Sequence, residues 1–394
     1  MEMTKRKPKI AIVLDDLSVG GIPVACISFL KALSEESEIT LILATDKGEL
    51  TSKIPDRVEV KIIPSERVSS TFRRLLREKK YWKYFWTAIR YYWHSKFTKK
   101  WIKASTLIAK EKPLLLEDYF DCAIAYHGMN ISQMNKTLYQ IKAKKKLAWI
   151  HGDHPFTKSD KKDAEKVYQK FDYIFCVSDA TRKQFLSDFS TLVEKAVIYY
   201  NHFDIEEIKK KSQEVKDIEF LSQQINLVTV GRISPEKGQD MIPKVLKILL
   251  KKNFNLHWYI VGDGADRERI EDIIKKENLE ENISLLGNKI NPYPYMCACD
   301  FYVQPSYTEG YPLAILETAI LQNVIIATDV GGAREHLKNG EDILFAQPNP
   351  ESIAQKIELA INDKGLQEKI KNNLKERDFS NNNELKKLFE VFDK

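Results

Sequence analysis

The chain has 394 residues, 43% of them hydrophobic and 30% charged, with a net charge of +6. That is the balance of a soluble globular protein, too long for one ordinary core and suited to two domains of roughly 150 to 200 residues. No stretch approaches the roughly 18 apolar residues of a membrane-spanning helix. The five cysteines (Cys26, Cys122, Cys176, Cys297 and Cys299) form no disulfide framework and no paired C-x-x-C site, which points to a reducing cytosol. Cys297 and Cys299, in an apolar stretch, read as packing residues.

The N-terminus "MEMTKRKPKIAIVLDD" resembles a signal peptide only superficially. Its apolar run, "IAIVL", ends in two aspartates and falls short of the roughly seven residues a secretory segment needs, so it reads as a first strand. "ITLILA", "VEVKII", "FDCAIAY", "KKLAWI", "YIFCVS" and "AVIYY" continue the series, and "IPVACISFLKALSEE" is the first long helix. The polar segment "NHFDIEEIKKKSQEVKDIEFLSQQ" predicts a hinge near residues 203–222. The pattern then restarts with "INLVTVG", "LHWYIVG", "ISLLG", "DFYVQPS", "VIIATDV" and "DILFA", with helices near 238–252, 266–278, 312–322 and 351–363. Alternating strands and helices predict two doubly wound α/β domains, residues 1–205 and 206–375, whose ligands bind outside the carboxyl ends of the strands. A last helix within 376–394 is expected to pack back toward the first domain.

"SYTEGYPLAILETA", residues 306–319, sets Glu309 on a glycine-marked turn and Glu317 one turn into the following helix. Pro312 suits the first helical position, because its missing N–H would have no helical partner there. The amides of Leu313 and Ala314 would then face outward from a helix N-terminus, a natural phosphate site. Glu317 suits vicinal ribose hydroxyls, and Glu309 the hydroxyls of a sugar on the far side of the phosphates. Either glutamate alone reads as a solvated surface residue. In "INLVTVGRISPEKGQDM" a buried strand delivers Gly231 and Arg232, and Lys237 follows across a Pro-containing loop. Both cations are expected to point to one place, where they would hold a diphosphate and absorb the charge it gains on leaving; singly they read as surface cations. No Asp-x-Asp metal loop occurs, and "HGDH" (His151, Asp153, His154) matches no standard zinc spacing, so leaving-group stabilisation without a metal is expected. "VGDGADRE" has Gly262 and Gly264 after a strand but Arg267 where a dinucleotide fingerprint needs its third glycine, which excludes it as a nicotinamide site.

"GRISPEKG", "VGDGADRERI", "LLGNKINPYPYM" and "EGYPLAILETA…VIIATDVGGAREHL", in this order, resemble a retaining glycosyltransferase of the GT-B fold, family 4, whose Glu-x7-Glu signature appears as Glu309 and Glu317. The likeness is dense over residues 225–345; in the first half "VGG" (19–21) and "WIHGD" (149–153) are the points of match. It implies two Rossmann-like domains facing each other across a cleft, and a nucleotide-sugar donor, expected to be a UDP-hexose, with no further cofactor. It implies that Arg232 and Lys237 grip the donor pyrophosphate, with Gly231, Gly262, Gly310, Tyr311 and Pro312 also among the donor-binding residues. Glu317 would hold the ribose, Glu309 would lie at the reacting face of the sugar, and the backbone of Gly287, Asn288 and Lys289 would cradle the base. Gly20 and Gly21 would approach the donor phosphate, and His151 would bond a sugar hydroxyl or position the acceptor. The implied reaction keeps the anomeric configuration, with the departing phosphate oxygen taking the acceptor's proton. The acceptor is expected to be a lipid-linked glycan or a polysaccharide of the cell surface. A non-catalytic GT-B subunit and a nucleotide-sugar epimerase are the alternative readings.

Residues 73–103, "RRLLREKKYWKYFWTAIRYYWHSKFTKKWIK", hold eleven Lys or Arg against one acidic residue, and four of the chain's six tryptophans: Trp82, Trp86, Trp93 and Trp101. With Lys83 and Arg90, these rings suit an anionic membrane surface. The alternative is a solvated helical insertion whose aromatics pack on the domain. No nucleic-acid recognition module accompanies the segment.

Overall fold

The computed structural model describes residues 6–393 apart from 65–67, 98–99, 153–155, 216 and 218, so Asp153 and His154 lie outside the described residues. The chain divides into two compact units, Met1–His202 with Asn381–Lys394, and Phe203–Ser380.

The first unit is built on seven parallel strands: β1 (Lys9–Val13), β2 (Glu38–Leu43), β3 (Val58–Ile62), β4 (Tyr119–Ala125), β5 (Lys142–Ile150), β6 (Tyr173–Cys176) and β7 (Ala196–Ile198), in the order β3-β2-β1-β4-β5-β6-β7. Parallel strands covered on both faces need apolar residues at successive positions rather than alternating ones, and Ile10 to Val13 of β1 are all fully buried. The edge strand β3 keeps its polar residues in water. Helix α1 (Gly21–Ser34) drives Phe29 against Tyr126 and Trp149, with ring centroids 5.7 and 4.9 Å apart. The helix Asn382–Asp393 is held within this unit: Glu384 accepts from the Tyr200 amide at 3.0 Å, and Lys144 donates to the Phe392 carbonyl at 2.8 Å.

Three helices between β3 and β4 carry the basic aromatic segment: α2 (Val68–Arg77), α3 (Tyr81–Tyr92) and α4 (Trp101–Ala109), with one π-helical stretch, Trp93–Phe97, after α3. Among the described residues no helix is long and apolar enough to cross a membrane.

The second unit has six parallel strands: β8 (Ile225–Val230), β9 (Leu256–Val261), β10 (Ile283–Gly287), β11 (Phe301–Gln304), β12 (Ile325–Thr328) and β13 (Leu344–Ala346), ordered β10-β9-β8-β11-β12-β13. Its core shows how a buried polar group is satisfied. The Trp258 indole N–H donates to Thr229 Oγ1 at 3.0 Å, and that hydroxyl donates to the Val303 carbonyl at 2.6 Å, tying β9, β8 and β11 together. The sequence pattern ended the helices of this unit at 363. The structure adds Lys364–Glu376 and returns the chain to the first unit at Asn381. Cys297 is exposed rather than packed, because the one-turn helix Tyr293–Ala298 buries Pro294 to Met296 and turns the next residue outward.

Candidate functional site

Strand order reverses between β8 and β11, and at such a switch point the loops leaving the two strands diverge to form a crevice at the carboxyl edge. The loop after β8 holds Gly231 to Gly238; the loop after β11 holds Pro305 to Tyr311. They lock onto each other. The amides of Tyr307 and Thr308 donate to the Glu236 carbonyl at 2.9 and 3.3 Å. Gly238 adopts the left-handed conformation (φ 65°), and a Cβ there would stand 2.1 Å from the Pro305 carbonyl oxygen, so only glycine closes this contact.

This clamp places Lys237 beside Glu309. The ammonium lies 2.8 and 2.7 Å from the two carboxylate oxygens, in a bidentate approach that leaves it one donor to spare. Glu309 is no solvated loop residue: its side chain is 7% exposed. Its Oε1 also accepts from Ser306 Oγ at 2.6 Å and from Gln304 Nε2 at 3.3 Å. Gln304 in turn accepts from the Tyr302 hydroxyl at 2.7 Å, so a buried polar chain runs from β11 to the carboxylate. Ser306 and Gln304 escaped the reading of the sequence. The available signal was a glutamine closing an otherwise apolar strand, "DFYVQPS".

Arg232 does not join this pair. Its side chain is 72% exposed and its guanidinium sits 3.3 Å from Glu236 Oε1. The expectation that both cations point to one place fails for a local reason. The 3-10 turn Pro235–Lys237 carries Lys237 back toward the β11 loop, while Arg232, at the strand exit, projects to water with its guanidinium on Glu236 and its carbonyl accepting from Gln239 Nε2 at 2.9 Å.

The helix after the β11 loop spans Leu313–Ile320, with Pro312 as its N-cap rather than its first residue. The Leu313 amide donates to the Tyr311 carbonyl at 2.9 Å and is therefore occupied, contrary to the sequence expectation. Ala314 and Ile315 precede the first i→i−4 bond, from Leu316 to the Pro312 carbonyl, so their amides are the ones that face out of the first turn. Tyr311 is tucked inward, its ring 5.2 Å from that of His336 and 6.3 Å from that of Phe203, and so packs the turn; Gly310 beside it is half-buried.

Glu317 is buried, and its carboxylate accepts from the Tyr293 hydroxyl at 3.0 Å. Burial pushes its pKa up to about 7, against a smaller lowering by the Tyr293 hydrogen bond. At the end of β10, Gly287 (φ 69°) accepts from the Gly262 amide at 2.8 Å, Asn288 is exposed, and Lys289 pairs with Asp217, which also accepts from the Tyr295 hydroxyl.

Gly331, after β12, is a site residue that its own "VGG" pattern could have flagged. It too is left-handed (φ 65°), and a Cβ on it would lie 2.1 Å from the Glu309 carbonyl and 2.8 Å from Glu309 Cβ. Gly331→Ala is therefore expected to displace Glu309 from Lys237 and to destabilise the protein by about 1 to 3 kcal/mol. A thermal melt together with a transfer assay checks this; an alanine variant with unchanged turnover would show that Glu309 tolerates being moved.

In the first unit, His151 follows β5 and is stacked on Trp149 with an interplanar angle of 8°. Its Nε2 lies 2.8 Å from the Tyr126 carbonyl, which can only accept, so Nε2 carries the proton and Nδ1 is left as an acceptor. Burial, followed by the neighbouring His127, pushes its pKa down to about 3, so the ring is neutral at physiological pH. Gly20 caps α1 in an extended conformation. A Cβ there would meet nothing nearer than 3.8 Å, so this unit's own packing does not require glycine. Among the described residues no group of three His, Cys, Asp or Glu is placed to hold a metal ion.

Residues 209–377 match the model of the family Glycosyl transferases group 1. An N-acetylgalactosaminyltransferase of Campylobacter jejuni that acts on a diphospho-undecaprenol-linked sugar is 30% identical over 213 residues, 54% of this chain and 56% of that protein. The GPI3 subunit of phosphatidylinositol N-acetylglucosaminyltransferase from Saccharomyces cerevisiae is 24% identical over 203 residues, 48% of this chain and 43% of that one. The chain thus spans about half the length of the curated relatives it matches. Among solved structures, Anabaena HepE in complex with UDP superposes with a TM-score of 0.70 at 16% identity, covering 98% of this chain and 99% of that one. A point mutant of S. aureus TarM superposes at 0.70 with 15% identity, covering 98% and 100%. The whole chain has the GT-B fold that these structures share, and its residues 209–377 are similar to glycosyl transferases group 1.

Proposed function

We propose that the protein is a retaining glycosyltransferase that moves a hexose from a UDP-sugar to a lipid-linked or polysaccharide acceptor in surface-glycan assembly, on the cytoplasmic side of the cell. The Lys237–Glu309 pair, clamped at the switch point shortly before the Leu313–Ile320 helix, is the observation that carries this reading. The outward amides of Ala314 and Ile315 supply the second half of a diphosphate cradle. Lys237 keeps a donor for a phosphate oxygen and answers the charge that develops when the diphosphate departs, so this reading invokes no metal ion. Glu317 accepts from the ribose hydroxyls, and the backbone around Gly287, Asn288 and Lys289 lies against the base.

In the step itself the acceptor hydroxyl oxygen bonds the anomeric carbon as the bond from that carbon to the phosphate oxygen breaks. The acceptor's proton passes to the departing phosphate oxygen on the same face, which keeps the anomeric configuration. His151 offers Nδ1 as acceptor to a sugar hydroxyl, and the amides at Gly20 and Gly21 suit a phosphate that a side chain would keep at a distance. The names of the relatives support the donor and acceptor classes: HepE is solved with UDP, and the Campylobacter enzyme takes a lipid-diphosphate-linked acceptor.

A thermal-shift screen of nucleotide sugars tests this. A donor at 100 times its Kd adds about 2.7 kcal/mol, and so about 5 to 10 °C in Tm for a domain of this size. UDP-hexoses are expected to give that shift and then to be hydrolysed slowly without acceptor. Silence from UDP-, GDP-, ADP- and TDP-sugars alike would remove the reading.

A further inference from the structure

None of the residues assigned above to sugar transfer lies on α3. Trp82, Phe85, Trp86, Ile89, Tyr92 and Trp93 recur at intervals of three and four and so lie on one side of the helix, running into the π-helical stretch. All six are exposed, Trp82 at 77% and Trp86 and Trp93 above half. The opposite side anchors the helix: Thr87 is buried, and Tyr84 and Tyr91 turn inward onto Phe72 of α2, with ring centroids 5.7 and 5.9 Å away. The packing alternative read from the sequence therefore fits Tyr84 and Tyr91, whereas the six residues opposite keep large exposed surfaces. Phe85, Ile89, Tyr92 and Trp93, with Tyr84 and Ala88, line an apolar depression of about 410 Å³. Soluble monomers rarely expose a contiguous apolar surface of this kind without a partner.

Charge selects the partner. Residues 81–97 contain no Asp or Glu. Lys83 pairs with Glu111 at 2.8 Å and Lys103 with Asp163 at 3.3 Å, so both cations are partly neutralised, although Lys83 stays exposed. Arg77, Lys79, Arg90, Lys96 and Lys100 remain exposed around the aromatic face. A second copy would bring the same positive charge to the contact. An anionic lipid surface answers both features, because indole and phenol rings favour headgroup depth and basic side chains favour lipid phosphates. We propose that this face of α3 seats the protein on an anionic bilayer, with Trp82, Trp86 and Trp93 in the interface and Arg90 among the headgroups.

Co-sedimentation with vesicles tests it. The full chain is expected to pellet at low salt with equal parts phosphatidylglycerol and phosphatidylcholine, and to stay in solution with phosphatidylcholine alone. Its tryptophan emission is expected to shift to the blue and to be quenched by lipids brominated in the acyl chain; Trp149 and Trp258, fully buried in the two cores, stay unquenched. Arg90→Glu, a change of two charges, is expected to weaken partition roughly 30-fold. The triple variant Trp82→Ser, Trp86→Ser, Trp93→Ser is expected to lose it, while ligand-free melting curves show that both variants fold. Equal binding to both vesicle types, or none by the wild type, would overturn the proposal. So would lipid-free self-association abolished by the triple variant, which would make this face a contact between copies.

Discussion

Glu309→Gln is expected to lower turnover by a factor of about 100 to 1,000, the usual effect of losing one preorganised charged group at a reacting centre. The substitution keeps shape and removes charge. The amide has one acceptor oxygen, so it cannot take Lys237 on both arms while also accepting from Ser306 and Gln304, as the carboxylate does. The freed ammonium would bind the donor diphosphate in the ground state instead of being held for the transition state, so KM should change far less than kcat. Stability should fall as well, by about 2 kcal/mol for a charged hydrogen bond, or about 4 to 8 °C in Tm. Lys237→Ala should give a similar loss of turnover. The double variant should cost clearly less than the sum, because each single change already breaks the same contact. Full additivity would mean that the two residues act separately, and wild-type turnover in Glu309→Gln would remove it from the chemistry.

Glu317 should make both stability and nucleotide affinity depend on pH, in opposite directions. Its folded pKa is raised from 4.5 to about 7 by burial. Between those values the unfolded chain has lost the proton and the folded one keeps it, so stability falls as pH rises through the window and levels off above about 7. The full fall is on the order of 3 kcal/mol. Glu317→Gln lacks this group, so its Tm profile should miss the fall and lie above that of the wild type at pH 8. Ribose hydroxyls donate to the carboxylate more strongly than to the acid, so UDP should bind more tightly as pH rises through about 7. Tyr293→Phe removes the hydrogen bond that lowers this pKa, and should move the inflection to higher pH with little loss of affinity above it. Calorimetric titration of UDP across that range decides the matter; affinity flat in pH would detach Glu317 from the nucleotide.

The strands could be read from the sequence alone, because a parallel strand covered on both faces must be apolar at successive positions, and "KIAIVL" or "LHWYIVG" has no other economical meaning. So could the positions of Glu309 and Glu317, since a glycine-marked turn before a helix announces where a loop ends. Periodicity reports which residues share a face, but it does not name the partner of a side chain. Lys237 meets Glu309 across 72 residues, and Tyr293 meets Glu317 across 24, only because β8 and β11 are neighbours and the short helix after Pro292 packs beside the one after Pro312. The same gap misplaced Arg232, because the 3-10 turn that carries Lys237 away from it and the Glu236 carboxylate that holds its guanidinium are invisible to spacing. It also left residues 73–103 ambiguous, for composition counts the rings of α3, whereas only packing against Phe72 separates Tyr84 and Tyr91 from the tryptophans that face water.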